Sequence, residues 1–149
     1  MSKHVLSKKD LKTLITRMES IGIDVSSLSP IEIEEKKKDK IYYYSGKPII
    51  FNNIPTIYLL NYLKLKDKTI TVDDGAVPHI NNGSSLFAPG IINMDTDIKR
   101  DDIVYIKNKE GYFIAVGIST RDGKDIMSDK KGEAAKVIHH LNDRIMNDF

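Results

Sequence analysis

The chain has 149 residues, 40% of them hydrophobic and 30% charged, which suits one ordinary core or two small units sharing a face and excludes wholesale disorder. It has no cysteine, which excludes disulfides, thiolate metal sites and a cysteine nucleophile, and no apolar run of about 18 residues that could cross a membrane. The net charge of +2 is uneven: residues 1–66 hold 12 Lys/Arg against 7 Asp/Glu and residues 67–149 hold 11 against 14, so a polyanion is drawn first to the N-terminal half.

The opening MSKHVLSKKD lacks the apolar segment of a secretory signal, and a cytoplasmic location is expected. Ser7 followed by Asp10 resembles a capping box. Leu11, Leu14, Ile15, Met18 and Ile21 then repeat at helical spacing, predicting a helix over about 8–20 that Gly22 ends. Ile31 and Ile33 alternate with Glu32 and Glu34, as in a half-buried strand. Lys36, Lys37 and Lys38 read as a solvated loop. Ile41–Tyr44 and Lys47–Phe51 flank Ser45-Gly46 and predict a β-hairpin. Tyr42, Tyr43 and Tyr44 could stack on bases, but a strand turns at least one of them into the core. Pro55 suits the first turn of a second helix over about 54–63.

A boundary is expected in the charged stretch Lys64–Lys68. Beyond it, Thr69–Val72 reads as a strand, Asp73-Asp74-Gly75 as a turn and Ala76–Asn82 as a short helix closed by Gly83. Pro89-Gly90 forces another turn. Asp101–Lys107 and Tyr112–Ser119 read as strands joined through Glu110-Gly111. Lys131–Met146 places Ala134, Ala135, Ile138, Leu141 and Ile145 on one face and predicts a final helix. The short strands and turn signals suggest a small barrel.

Catalytic motifs are missing: no GxxxxGKS/T, GxGxxG, HExxH or GxSxG occurs. On a helix His139 and His140 would point about 100° apart, too far to grip one ion alone. The expected arrangement has one histidine packed against the barrel and the other facing water. Asp73-Asp74 and Asp101-Asp102 fit turn chemistry better than paired catalytic carboxylates. Neither a catalytic residue, a metal nor a cofactor is expected.

Residues 70–90, ITVDDGAVPHINNGSSLFAPG, resemble the opening of a PUA domain through Val72, Asp73, Gly75, Ala76, Gly83, Ser84, Leu86, Pro89 and Gly90. Later pieces follow in order: Asp102 and Val104, Ala115-Val116-Gly117, Ser128, Lys131-Gly132, then His139 and Asp143. The basic unit ahead of them is similar in layout to that of archaeal relatives of the malignant T-cell-amplified sequence protein. The resemblance implies an α+β chain, with a small pre-PUA α+β domain at 1–66 and a PUA pseudo-barrel at 67–149, mostly antiparallel β with two short helices. It also implies a non-enzymatic protein that binds structured RNA, tRNA or rRNA, in translation, with the small ribosomal subunit as a partner. The alternative is an accessory subunit of an RNA-modifying enzyme of the pseudouridine synthase or tRNA-guanine transglycosylase type. RNA contact is expected at Asn82, Gly83, Ser84, Ser85, Leu86, Pro89 and Gly90, where small residues and free backbone N–H groups let a phosphate approach. Lys99, Arg100 or the basic N-terminal half would supply counter-charge. Gly83 and Gly90 are both expected in conformations that a side chain disfavours.

Overall fold

The structure is a computed structural model that describes residues 3–148, with side chains through Met146. Its N-terminal part is a five-stranded antiparallel sheet of β1 (His4–Val5), β2 (Ile31–Lys36), β3 (Asp39–Tyr44), β4 (Lys47–Phe51) and β5 (Ile54–Pro55), in that spatial order. Helix α1 (Lys8–Glu19) starts where Ser7 Oγ accepts the Asp10 N–H at 3.1 Å, and Leu14 and Met18 face the core. Ser45 and Gly46 both take positive φ, 49° and 78°, the geometry a two-residue hairpin turn needs. Lys37 and Lys38 form the turn between β2 and β3, on the surface.

The second helix starts later than the sequence predicts. Ile54 and Pro55 pair with β4, and α2 (Ile57–Leu63) begins behind Thr56, whose hydroxyl accepts the Leu59 N–H. A hydroxyl at the N-cap satisfies a helix N–H that proline only tolerates losing. Tyr42 and Tyr43 are buried and Tyr44 is half-buried, so this strand offers no free stacking face.

The C-terminal part is a six-stranded, nearly closed sheet. In chain order it runs β6 (Thr69–Val72), α3 (Val77–Asn81), β7 (Leu86–Phe87), a 3-10 turn at Ala88–Gly90, β8 (Ile91–Met94), β9 (Ile103–Lys107), β10 (Phe113–Ser119), α4 (Gly123–Asp129), β11 (Glu133–His140) and α5 (Arg144–Asp148). The spatial order is β7-β11-β10-β9-β6-β8, antiparallel throughout except for the parallel pair β6 and β9. Strand β8 and helix α4 are not foreseen in the sequence.

The predicted final helix over 131–146 is the main correction. Residues 133–140 are strand β11, paired with β10 on one side and β7 on the other, and only 144–148 are helical. The pairing breaks register between Val116 and Gly117 and again between Glu133 and Ala135. Ala134 and Ala135 are therefore both buried, which hides the alternation of a strand and imitates helical spacing.

Two cores meet at β9 and β10. Val104 and Ile106 point into the barrel with Ile70, Val72, Leu86 and Ala135. Between them Tyr105 points the other way, joining Phe113 and Val116 in a core built from Leu14, Met18, Ile31, Leu59 and Leu60 of the N-terminal part. The Tyr105 hydroxyl donates to the Ile21 carbonyl at 3.0 Å, and burial pushes its pKa up. Asn61 bridges the seam twice: Nδ2 donates to the Phe113 carbonyl at 3.2 Å, and Oδ1 accepts the Phe113 N–H at 2.8 Å. Among the described residues no helix is long and apolar enough to cross a membrane.

Candidate nucleic-acid interface

The turn after β6 is held by Asp73, whose Oδ1 accepts the Ala76 N–H at 2.9 Å and starts α3. Asp102 plays a similar part before β9, accepting the Lys99 N–H at 2.8 Å and pairing with Lys68 at 3.0 Å. Both acidic pairs thus serve turns. At the far end of α3, Asn82 is the C-cap and Gly83 takes φ +83°. The Gly83 N–H reaches the Ile80 carbonyl at 2.9 Å and the Ser84 N–H reaches the His79 carbonyl at 3.0 Å, the double closure of a Schellman motif.

This corrects the expectation of free amides at Gly83 and Ser84. The N–H groups of Gly83 and Ser84 close the helix, and the Ala88 N–H is taken by the Gly132 carbonyl at 2.8 Å. Gly90 is also corrected: its φ is not positive, and its constraint is close packing, since a Cβ there would meet the Ala76 Cβ at 3.0 Å. Gly83 combines both constraints, with a Cβ meeting His140 Nε2 at 3.1 Å.

Ser84, Ser85, Leu86, Pro89 and Gly90 converge with α3 around an open cleft of about 540 Å3. Asp73, Gly75, Ala76, His79, Ile80 and Phe87 complete its walls. Ile80 and Leu86 are buried in its floor, whereas Phe87 is 54% exposed at the rim. The cleft is thus mainly apolar, with hydroxyls at one side and a carboxylate at the turn. Of the expected residues, Asn82 is exposed beyond the cleft and Gly83 faces the opposite side, against His140. Lys99 and Arg100 also lie outside it, on an exposed turn where Asp102 and Asp122 hold their backbone N–H groups. Lys130, which also lies outside the cleft lining, donates its Nζ to the carbonyl of Ile91, the residue after Gly90, at 2.6 Å. His79 and Phe87 carry only a weak signal, a histidine on the exposed side of α3 and a ring alternating with the buried Leu86.

The two histidines behave differently from one another. His139 is fully buried; Nε2 accepts the Ile57 N–H at 3.1 Å and Nδ1 lies 2.7 Å from Asp143 Oδ2. His140 is half-buried beside Gly83. Among the described residues no group of three or more His, Cys, Asp or Glu could hold a metal ion.

A family model described as PUA domain matches residues 68–141. An uncharacterized protein of Methanocaldococcus jannaschii is 34% identical, over 97% of this chain and 95% of its own length. The chain belongs to the PUA-domain family. In this PUA protein a second model, described as a domain of unknown function (DUF1947), matches residues 2–63, the region ahead of the barrel. The solved structure of a conserved PUA domain protein from Thermoplasma acidophilum superimposes with a TM-score of 0.93 at 44% identity, covering 99% of each chain. Translation machinery-associated protein 20 of Saccharomyces cerevisiae is 30% identical, over 75% of this chain and 69% of its own length.

Proposed function

We propose that this PUA protein is a non-enzymatic, cytoplasmic RNA-binding protein of the translation machinery, acting with the small ribosomal subunit or tRNA. In this reading residues 1–66 form the pre-PUA unit, residues 67–149 form the PUA domain, and the cleft beside α3 takes the RNA. The observation that carries it is the convergence of Ser84, Ser85, Leu86, Pro89 and Gly90 on one open cleft of about 540 Å3. That volume falls in the range of about 300–1,000 Å3 usual for small-ligand pockets.

The Gly83 and Ser84 amides are committed to α3, which leaves fewer N–H donors here for a phosphate. The cleft's apolar walls suit an unstacked base instead, and splayed-out bases are what sequence-reading RNA modules usually take. The basic N-terminal part supplies the counter-charge that an acidic C-terminal half lacks. Similarity to translation machinery-associated protein 20 across both parts of the chain supports the setting.

Ser85→Glu tests the site. A carboxylate at the cleft wall should weaken binding of a structured RNA roughly tenfold, about 1–2 kcal/mol at an effective dielectric near 20. The melting temperature should barely move, since Ser85 is not in either core. Affinity unchanged at constant stability would move the interface off the cleft. Co-sedimentation of the wild-type protein with small ribosomal subunits checks the setting; a protein that ignores them and co-purifies with an RNA-modifying enzyme would overturn it.

A further inference from the structure

A second surface, sharing no residue with the cleft, combines cations with an aromatic ring in water. It is a groove of about 360 Å3 between the end of α2 and the β9–β10 hairpin. Lys64 and Lys66 follow the helix on one side, and Lys107 and Tyr112 belong to the hairpin on the other. Both walls are pinned. Asn61 ties α2 to Phe113 through its two hydrogen bonds. Asn108 fixes the hairpin, its Oδ1 accepting the Tyr112 N–H at 2.9 Å and its own N–H donating to the Tyr112 carbonyl at 2.9 Å. Lys64 leaves the helix in the left-handed conformation, φ +52°, which sets the direction of its side chain.

Two features need an explanation that folding does not supply. Tyr112 is 66% exposed on a backbone held at both N–H and carbonyl, so its ring contributes little to either core. Lys64 and Lys66 converge on one groove with Lys107, whose Nζ lies 5.9 Å from the Phe113 ring centroid, and among the described residues none of the three is paired with a carboxylate. Glu110 is the groove's one acidic lining residue. Protein interfaces are depleted in lysine at their cores, whereas cations interleaved with a stacking ring suit a single nucleic-acid strand. Position matters as well. Lys109, in the turn of the same hairpin, pairs with Asp74 at 2.9 Å, and Asp74 sits in the 73–75 turn that lines the cleft. Groove and cleft therefore lie on adjoining faces.

We propose that the groove is a second RNA contact, with Lys64, Lys66 and Lys107 meeting backbone phosphates and Tyr112 stacking a base, on the same RNA whose unpaired nucleotide enters the cleft. The proposal rests on the RNA reading of the cleft and adds a separate binding surface to it.

The test uses the full chain and a labelled RNA hairpin with a single-stranded 3′ tail, with affinity measured over a series of salt concentrations. The double variant Lys64→Ala, Lys66→Ala should flatten the log–log salt slope by about 0.7 for each phosphate no longer neutralised. Tyr112→Ala should weaken binding roughly tenfold and leave the salt slope unchanged. Melting temperatures should match wild type, since Lys64, Lys66 and Tyr112 are exposed. If Ser85→Glu weakens binding while the groove variants change neither affinity nor slope, the cleft stands, the groove proposal is overturned and the surface is left to a protein partner. Weaker binding in the groove variants with no change in Ser85→Glu supports the groove and removes the cleft. A wild-type protein that does not bind the hairpin overturns both.

Discussion

His139 shows how much one buried side chain settles. The Ile57 N–H can only donate, so Nε2 must offer its lone pair and the ring proton sits on Nδ1, donated to Asp143. Burial pushes the His139 pKa down against the pull of Asp143. Burial pushes Asp143 the other way, yet the N–H groups of His140 and Met146 and the imidazole hold it below the usual carboxylate range. The histidine is therefore neutral in the folded chain and takes a proton more readily when unfolded. Its contribution to stability is present above the unfolded value of about 6.5 and is lost progressively as pH falls below it. In His139→Phe that part of the pH slope should disappear. The variant should also lose about 1–3 kcal/mol, because the Ile57 N–H keeps no acceptor. Urea unfolding of both proteins above and below about pH 6.5 checks this, and an unchanged slope in the variant would assign it to another group. Residue chemistry of this kind is only half legible in the sequence. The His139-His140 pair shows that one ring can be buried, but the partner of that ring, a backbone N–H 82 residues away, is a product of the fold.

At the scale of elements, what is legible follows from local rules. Ser7 as a cap, Ser45-Gly46 as a turn and Gly83 as a helix stop each act within a few residues, and all three are found as the sequence implies. Strand β11 is hidden for the opposite reason. Its state is decided by β10 and β7, whose backbone groups need a partner between them, and its register breaks erase the two-residue period. The cleft inherits the same limit: the loop Ser84–Gly90 is visible in the sequence, whereas His79 comes to it only through the packing of α3. The docking of α2 onto β10 supplies a prediction at this scale. Asn61→Leu keeps the side-chain volume but strips partners from both polar groups of Phe113. It should cost about 2 kcal/mol or more if neither group recovers water. Denaturant unfolding measures the loss, and a change within about 0.5 kcal/mol would mean that water replaces the amide.

For the whole molecule, the seam between the two sheets matters more than the boundary in the sequence suggests. The charged stretch Lys64–Lys68 reads as a linker, yet Tyr105, Phe113 and Val116 of the barrel complete the core of the N-terminal part. The full chain should therefore unfold in one cooperative transition. Cutting after Lys66 should give two pieces without a cooperative melt of their own, one missing part of its core and the other exposing those three apolar side chains. Calorimetry of the chain and of each piece checks this; a sharp transition in the piece 1–66 alone would show that the seam is dispensable.

The alternation of β9 has a consequence for reading other barrels. Val104 and Ile106 are what any such barrel needs to fill its interior, but Tyr105 between them answers to a neighbour. On a barrel that stands alone, positions 105, 113 and 116 would face water, and polar side chains would suit them better. Their side chains therefore act as a docking label: three letters of sequence record that this barrel has a companion fixed to its side.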